Sequence, residues 1–138
     1  MQPLEQTLRQ HGYSATQARK RVFKALQGQQ PLSMHTLIER CGDIDRASVY
    51  RTVSLFEELG IIQRLQSGWK YRLELSDTFR EHHHHATCLR CGTSYDVPED
   101  TRLEVRLYEL ADLFGFQLER HQLELQGVCA ECQKASPL

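Results

Sequence analysis

The chain has no apolar run long enough to cross a bilayer as a helix, and no basic-then-apolar leader opens it. The first absence excludes a helical membrane protein, and together they point to a soluble, cytoplasmic one. No internal repeat is present, and no low-complexity segment apart from one histidine run. Solenoids, propellers and disordered scaffolds are thereby set aside. Net charge is nearly absent too, at −1 over 138 residues. The balance hides an asymmetry. Residues 1–80 carry twelve Lys/Arg against eight Asp/Glu, whereas residues 81–138 carry five against ten and five of the seven histidines. One half is suited to a polyanion and the other to cations.

What the chain does have is concentrated in residues 82–92. His82-His83-His84-His85 runs through Ala86 and Thr87 into Cys88-Leu89-Arg90-Cys91-Gly92, and a second pair, Cys129-x-x-Cys132, lies near the end. In a reducing compartment two Cys-x-x-Cys pairs favour metal over disulfide. Each pair can direct two sulfurs at one ion, and four thiolates close a tetrahedron with no open position. That is the donor set of structural zinc rather than of catalysis. The fifth cysteine, Cys41, lies between two predicted helices and reads as a buried, inert thiol.

In extended chain successive side chains point to opposite faces. His82 and His84 therefore face one way, and His83 and His85 the other, which suggests two separate sites. Each needs further ligands, and the chain offers carboxylates and His121. Mixed imidazole and carboxylate donors suit iron, manganese, cobalt or zinc.

The first eighty residues read as helices with punctuated ends. Leu4–His11 follows Pro3 and stops at Gly12. Thr16 caps a helix to about Gln27, Ser33 caps one through Arg40, and Asp45 caps one from Arg46 to about Leu59, stopped by Gly60. Val49, Thr52, Val53 and Phe56 form the inward stripe of that fourth helix, with Ala47, Tyr50, Arg51 and Ser54 opposite. Two strands, 61–65 and 69–75, are joined by a turn at Gln66-Ser67-Gly68. Three helices and a hairpin in this order make a winged helix-turn-helix. The helix opening at Arg46-Ala47-Ser48-Val49-Tyr50-Arg51 is a candidate DNA reader, with Arg19, Lys20, Arg21, Arg64 and Lys70 as candidate phosphate contacts.

Residues 76–81 are a candidate hinge. Beyond them a strand is expected over 93–97, a helix capped by Thr101 over 102–114, and an alternating strand over 116–125. The helix carries an apolar stripe of Leu103, Leu107, Leu110, Ala111 and Phe114. A unit of about 55 residues gains from metal ligation and dimerisation. The fold class is thus α+β, with a winged-helix domain at 1–79 and a small α/β dimerisation domain at 80–138.

Thr16-Gln17-Ala18-Arg19, Ala47-Ser48-Val49-Tyr50-Arg51-Thr52, Glu58-Leu59-Gly60-Ile61 and the run from His82 to Gly92, in that order, resemble the ferric uptake regulator (Fur) family. The resemblance implies a homodimeric, metal-dependent repressor that binds double-stranded operator DNA and controls metal homeostasis genes. It implies structural zinc on Cys88, Cys91, Cys129 and Cys132. It also implies a regulatory metal on Glu74, His83, His85 and Asp96, and a second metal site on His82, His84, Glu104 and His121. Tyr50 and Arg51 match base-contacting positions, beside Ser48, Arg46 and Arg19.

Two positions depart from the family pattern. Pro31 stands where iron-responsive members usually carry a ligating His, and His35, one turn into the third helix, reads as a surface histidine ahead of a substitute ligand. Ser14 stands where members often carry a minor-groove Lys or Arg. The regulatory ion is expected to be Fe²⁺, with Zn²⁺, Mn²⁺ and peroxide sensing as alternatives within the family. Outside it stand a DNA-binding protein with structural metals only and a zinc hydrolase. The chain lacks the His-x-Glu and Pro-Cys-x-x-Cys patterns of zinc deaminases.

Overall fold

The computed structural model describes residues 3–28, 30–67 and 70–135, in two compact units, Met1–Glu81 and His82–Leu138. Among the described residues no helix is long and apolar enough to cross a membrane.

The first unit orders four helices before a hairpin: α1 (Leu4–Gln10), α2 (Gln17–Leu26), α3 (Met34–Arg40), α4 (Arg46–Glu58), β1 (Ile62–Ser67) and β2 (Lys70–Leu75). The helix starts are set by side chains that accept the otherwise orphaned amides. Thr16 accepts from the Arg19 N–H, Ser33 from Thr36 and Asp45 from Ser48. α4 ends at Gly60, whose φ of 72° is a left-handed conformation that a side chain would resist. Val22 and Leu26 of α2, Leu37 of α3 and Val49, Val53 and Phe56 of α4 meet Ile61, Ile62, Leu73 and Leu75 in one core. Burying such side chains stabilises a fold by roughly 1.5–3 kcal/mol each before entropy is counted.

β1 and β2 pair antiparallel from Ile62↔Leu75 to Ser67↔Lys70. Of the expected turn and second strand, Gly68 and Trp69 lie outside the described residues. Leu32 adds a short third rung through mutual hydrogen bonds with Leu73, 2.9 and 2.7 Å long. The expected hinge is not wholly polar or loose. Phe79 is buried, meets Phe23 edge to face at 5.1 Å and donates its N–H to the Ser76 carbonyl.

The second unit is a three-stranded sheet in the order β4-β3-β5 with two helices. β3 (His84–Cys88) pairs antiparallel with β4 (Ser94–Val97) and parallel with β5 (Glu124–Gly127). α5 (Thr101–Asp112) and α6 (Ala130–Ala135) complete it. Two expectations are corrected here. Asp100, not Thr101, caps α5, because its carboxylate reaches the N–H groups of Arg102 and Leu103. The strand expected over 116–125 shrinks to β5: the alternation of Phe116 and Leu118 breaks at Arg120, and among the described residues 116–123 has no ladder partner. The apolar stripe on α5 is only partly covered among the described residues. Only Glu104 and Ala111 are buried, while Leu110 and Phe114 are exposed, as are Val105, Tyr108, Leu113 and Phe116. A soluble unit rarely keeps so much apolar surface uncovered.

Candidate metal centres and nucleic-acid face

The knuckle after β3 gathers the cysteines. Gly92, at φ 77°, turns the chain so that its N–H donates to the Cys88 carbonyl and Cys88 N–H to Thr93. Leu89 N–H donates to Gly127, which brings the start of α6 against the same turn. All four Sγ atoms of Cys88, Cys91, Cys129 and Cys132 lie within 4.8 Å of one another, with Cys91 and Cys129 at 3.8 Å. A tetrahedron with Zn–S bonds of about 2.3 Å has an edge of about 3.8 Å, so the donors fit zinc in kind and in spacing. The backbone N–H groups of Cys129 and Cys91 point at Cys88 Sγ, and they hold its thiol down to about 5. Cys132 is pushed up to about 12 by its hydrogen bond with Cys129, its burial and the neighbouring sulfurs. One ready thiolate among four crowded sulfurs is a site that gains from a cation.

The two histidine faces diverge at β3. On one, Glu104 of α5 collects three imidazoles: its Oε1 meets Nε2 of His84 and, at 3.2 Å, Nε2 of His82, and its Oε2 meets Nε2 of His121 at 2.6 Å. His82 and His121 are themselves 3.2 Å apart through Nε2. Burial pushes the Glu104 carboxyl up, but the His84 hydrogen bond and the charges of His121, His82 and His84 outweigh it, and the net direction is down. Four converging donors from β3 and the residues just before it, from α5 and from the segment before β5 fit a divalent ion of borderline hardness.

On the other face, Nε2 of His83 and of His85 lie 2.9 Å apart. Asp96 stands opposite His85 on β4, with Oδ1 3.8 Å from Nε2 of His83. Glu74 belongs to the first unit. It is buried in β2, and its carboxylate accepts from Gln63 Nε2 at 2.6 Å and from Arg80 Nη1 at 2.9 Å. Those partners carry no periodic signal in the sequence. His35 is an exposed helix residue paired with Glu39, its i+4 neighbour, at 2.9 Å. Pro31 is buried beside the Leu32–Leu73 bridge. Cys41 is fully buried at the end of α3, and burial raises its thiol.

The exposed side of α4 carries an ordered polar chain. Asp45 Oδ1 accepts from Ser48 Oγ at 2.6 Å, and Ser48 Oγ in turn accepts from Arg51 Nη2 at 3.0 Å. Tyr50 beside them is exposed. Arg46, the first residue of α4, is exposed as well. A hollow of about 480 Å³ adjoins Arg51, lined also by Tyr13, Thr16, Arg19, Ser48 and Leu55. Arg19 donates to the Ser14 carbonyl at 2.7 Å and lies over the Tyr13 ring. Two of the candidate phosphate contacts are engaged within the fold. Arg21 holds the Cys41 carbonyl and Asp43, and Arg64 grips Glu57 through two nitrogens and stacks on Tyr71.

Comparison with known proteins gives one answer throughout. Residues 10–126 match the model of the ferric uptake regulator family. The ferric uptake regulation protein of Bordetella parapertussis is 40% identical over 99 residues, covering 71% of this chain and 69% of that protein. Among solved structures, the Vibrio cholerae ferric uptake regulator is similar with a TM-score of 0.74 and 33% identity, covering 92% of this chain and all of that one. The Helicobacter pylori regulator, described as having three functional metal binding sites, gives 0.74 and 26% over 94% of this chain and 89% of its own.

Proposed function

The chain belongs to the ferric uptake regulator family, a family of metal-responsive transcriptional regulators rather than enzymes, and from that premise we propose that it is a homodimeric repressor whose corepressor is Fe²⁺. The carrying observation is the split of one histidine run onto two faces of the chain entering β3, His82/His84 towards Glu104 and His83/His85 towards Asp96. A scaffold with metal for structure alone needs only the cysteine cluster. Two further donor sets of mixed imidazole and carboxylate are what a reversible divalent ion requires.

Cys88, Cys91, Cys129 and Cys132 would hold zinc and tie the end of the chain to β3. His82, His84, Glu104 and His121 would hold a second ion inside the dimerisation unit. His83, His85 and Asp96, with Glu74 as the family pattern assigns it, would hold the regulatory ion. A bound divalent cation supplies the charge that lets these donors share one point. The exposed apolar surface of α5, with Phe116, supports a second copy of the chain as its cover. Tyr50 and Arg51 would read base edges, and Ser48, Arg46 and Arg19 would set the helix against the phosphates. The names of relatives favour iron. Mn²⁺ or Zn²⁺ as the regulatory ion is the second reading, since similar regulators are described with manganese and with zinc.

A coupling of about 1–3 kcal/mol between metal and operator suffices for a five- to hundredfold change in affinity. The test is DNA selected from a random pool by Fe²⁺-loaded protein under anaerobic conditions, followed by gel shift. Removing the labile metal with a mild chelator should abolish the shift while cysteine-bound zinc stays in place. Unchanged DNA affinity after chelation overturns the reading.

A further inference from the structure

We propose that Arg80 is a built-in competitor for the Glu74 carboxylate, so that a divalent cation engages Glu74 only by displacing an internal guanidinium. The inference rests on the assignment of Glu74 to the regulatory set made above. Glu74 is 1% exposed, and a carboxylate so buried needs charge compensation from within the fold. Arg80 supplies it: Nη1 lies 2.9 Å from Oε2, while the neutral Gln63 amide takes Oε1. Each carboxylate oxygen thus already has a donor.

The two donors differ in what they permit. Gln63 is uncharged and sits directly across the ladder from Glu74, so it can stay when a cation arrives. A guanidinium and a divalent ion on one carboxylate repel each other, more strongly in a site withdrawn from water. Arg80 is also built to move. Its backbone follows Phe79, which the core holds through Phe23 and the Ser76 carbonyl. Its own side chain is 24% exposed, so its head has a route to solvent on a flexible stem. Backbone fixed and head releasable is the geometry of a reversible occupant. Glu74 then has two mutually exclusive partners, and the metal concentration at which the second replaces the first is raised by the strength of the first.

The experiment uses the full chain with its cysteine zinc retained and Mn²⁺ as the probe, free ion being read by electron paramagnetic resonance. Arg80→Gln should bind Mn²⁺ about tenfold more tightly than wild type, Arg80→Lys should stay closer to wild type, and Glu74→Gln should bind more weakly. Metal-free Arg80→Gln, whose buried carboxylate has lost its charged partner and keeps the neutral Gln63 amide, should melt lower than wild type and gain more in melting temperature from Mn²⁺. Should that variant fold only with metal present, rescue by Mn²⁺ supports the competition and failure of rescue overturns it. Unchanged or weaker Mn²⁺ binding by Arg80→Gln, with Glu74→Gln impaired, overturns the competition alone. Unimpaired Glu74→Gln overturns the assignment of Glu74 itself, and the competition with it.

Discussion

His83 and His85 meet through their Nε2 atoms at 2.9 Å, two residues apart on one face of the chain entering β3. Two imidazoles in that geometry share either one proton or one cation, since two N–H groups cannot point at each other. A shared cation uses both lone pairs, with the protons held at Nδ1. Replacing both residues by alanine should therefore abolish metal-dependent DNA binding while leaving the cysteine zinc and the fold in place. Gel shift with and without Fe²⁺, alongside zinc analysis, measures both. Metal-dependent binding that survives in the double variant would remove this pair from the sensing site.

Glu104 is the hub of the other face, the carboxylate on which His82, His84 and His121 converge. Glu104→Ala leaves three imidazoles facing one another without the carboxylate that joins them. Anaerobic metal analysis should then find one divalent ion fewer per chain, with cysteine zinc undiminished. Melting temperature should fall as well, because the three histidines lose the charged acceptor at the centre of a buried network. An unchanged metal count would place the second ion elsewhere.

Legibility varied with the range of the signal. Caps act within three residues, so Thr16, Ser33 and Asp45 could be found by inspection, and α2, α3 and α4 begin beside them. Period-2 alternation separates the two histidine faces for the same reason. Asp100 and Thr101 both have capping chemistry, and only the backbone of the preceding loop makes Asp100 the cap of α5. Phe116 and Leu118 open an alternation, but a strand also needs a neighbour, and 116–123 has none among the described residues. The partners of Glu74 were invisible. Gln63 is eleven residues away across a hairpin, and Arg80 sits in a segment without period.

Asp45 gives a pH test of the recognition helix. Its hydrogen bonds from Ser48 Oγ and N–H, helped by the Arg51 charge, hold its carboxyl below the ordinary carboxylate range. A depressed folded value means stability that is fully present above the unfolded value, about 3.9, and lost as pH falls through the lower folded one. The melting-temperature gap between wild type and Asp45→Ala should therefore be constant at about 4 °C from pH 5 to 8 and close only below about pH 4. A gap that varies between pH 5 and 8 would assign the coupling to another group.

The same chain of contacts bears on base reading. Arg51 donates to Ser48 Oγ, which is itself held by Asp45. Loss of a base-reading arginine costs about 1–3 kcal/mol and relaxes preference at one operator position, whereas loss of a phosphate contact weakens all sequences alike. Arg51→Ala should show the first pattern. Arg51→Lys should fail to restore it, since a planar fork and a point charge are not interchangeable. Ser48→Ala should blunt discrimination at the same position with little loss of non-specific affinity. Competition binding against single-base variants of the selected site separates the cases, and a uniform loss for Arg51→Ala would make it a phosphate contact.

Pro31 offers a gain rather than a loss. Leu32 and Leu73 exchange hydrogen bonds as an antiparallel pair. Continued by one residue, that register sets position 31 across from Glu74, where directly opposed side chains share a face. Proline brings no ligand there and no N–H, so replacing it forfeits no backbone hydrogen bond. Pro31→His would restore the imidazole that the family pattern has at this place, next to the carboxylate. Mn²⁺ affinity should rise about tenfold, as for one added ligand in a preformed set, and less of the metal should be lost to a mild chelator. Combined with Arg80→Gln the two gains should fall short of additive, because both act through the one carboxylate of Glu74. Isothermal titration of the single and double variants with Mn²⁺ decides it. Strict additivity would mean that position 31 and Arg80 do not share Glu74 as their common point.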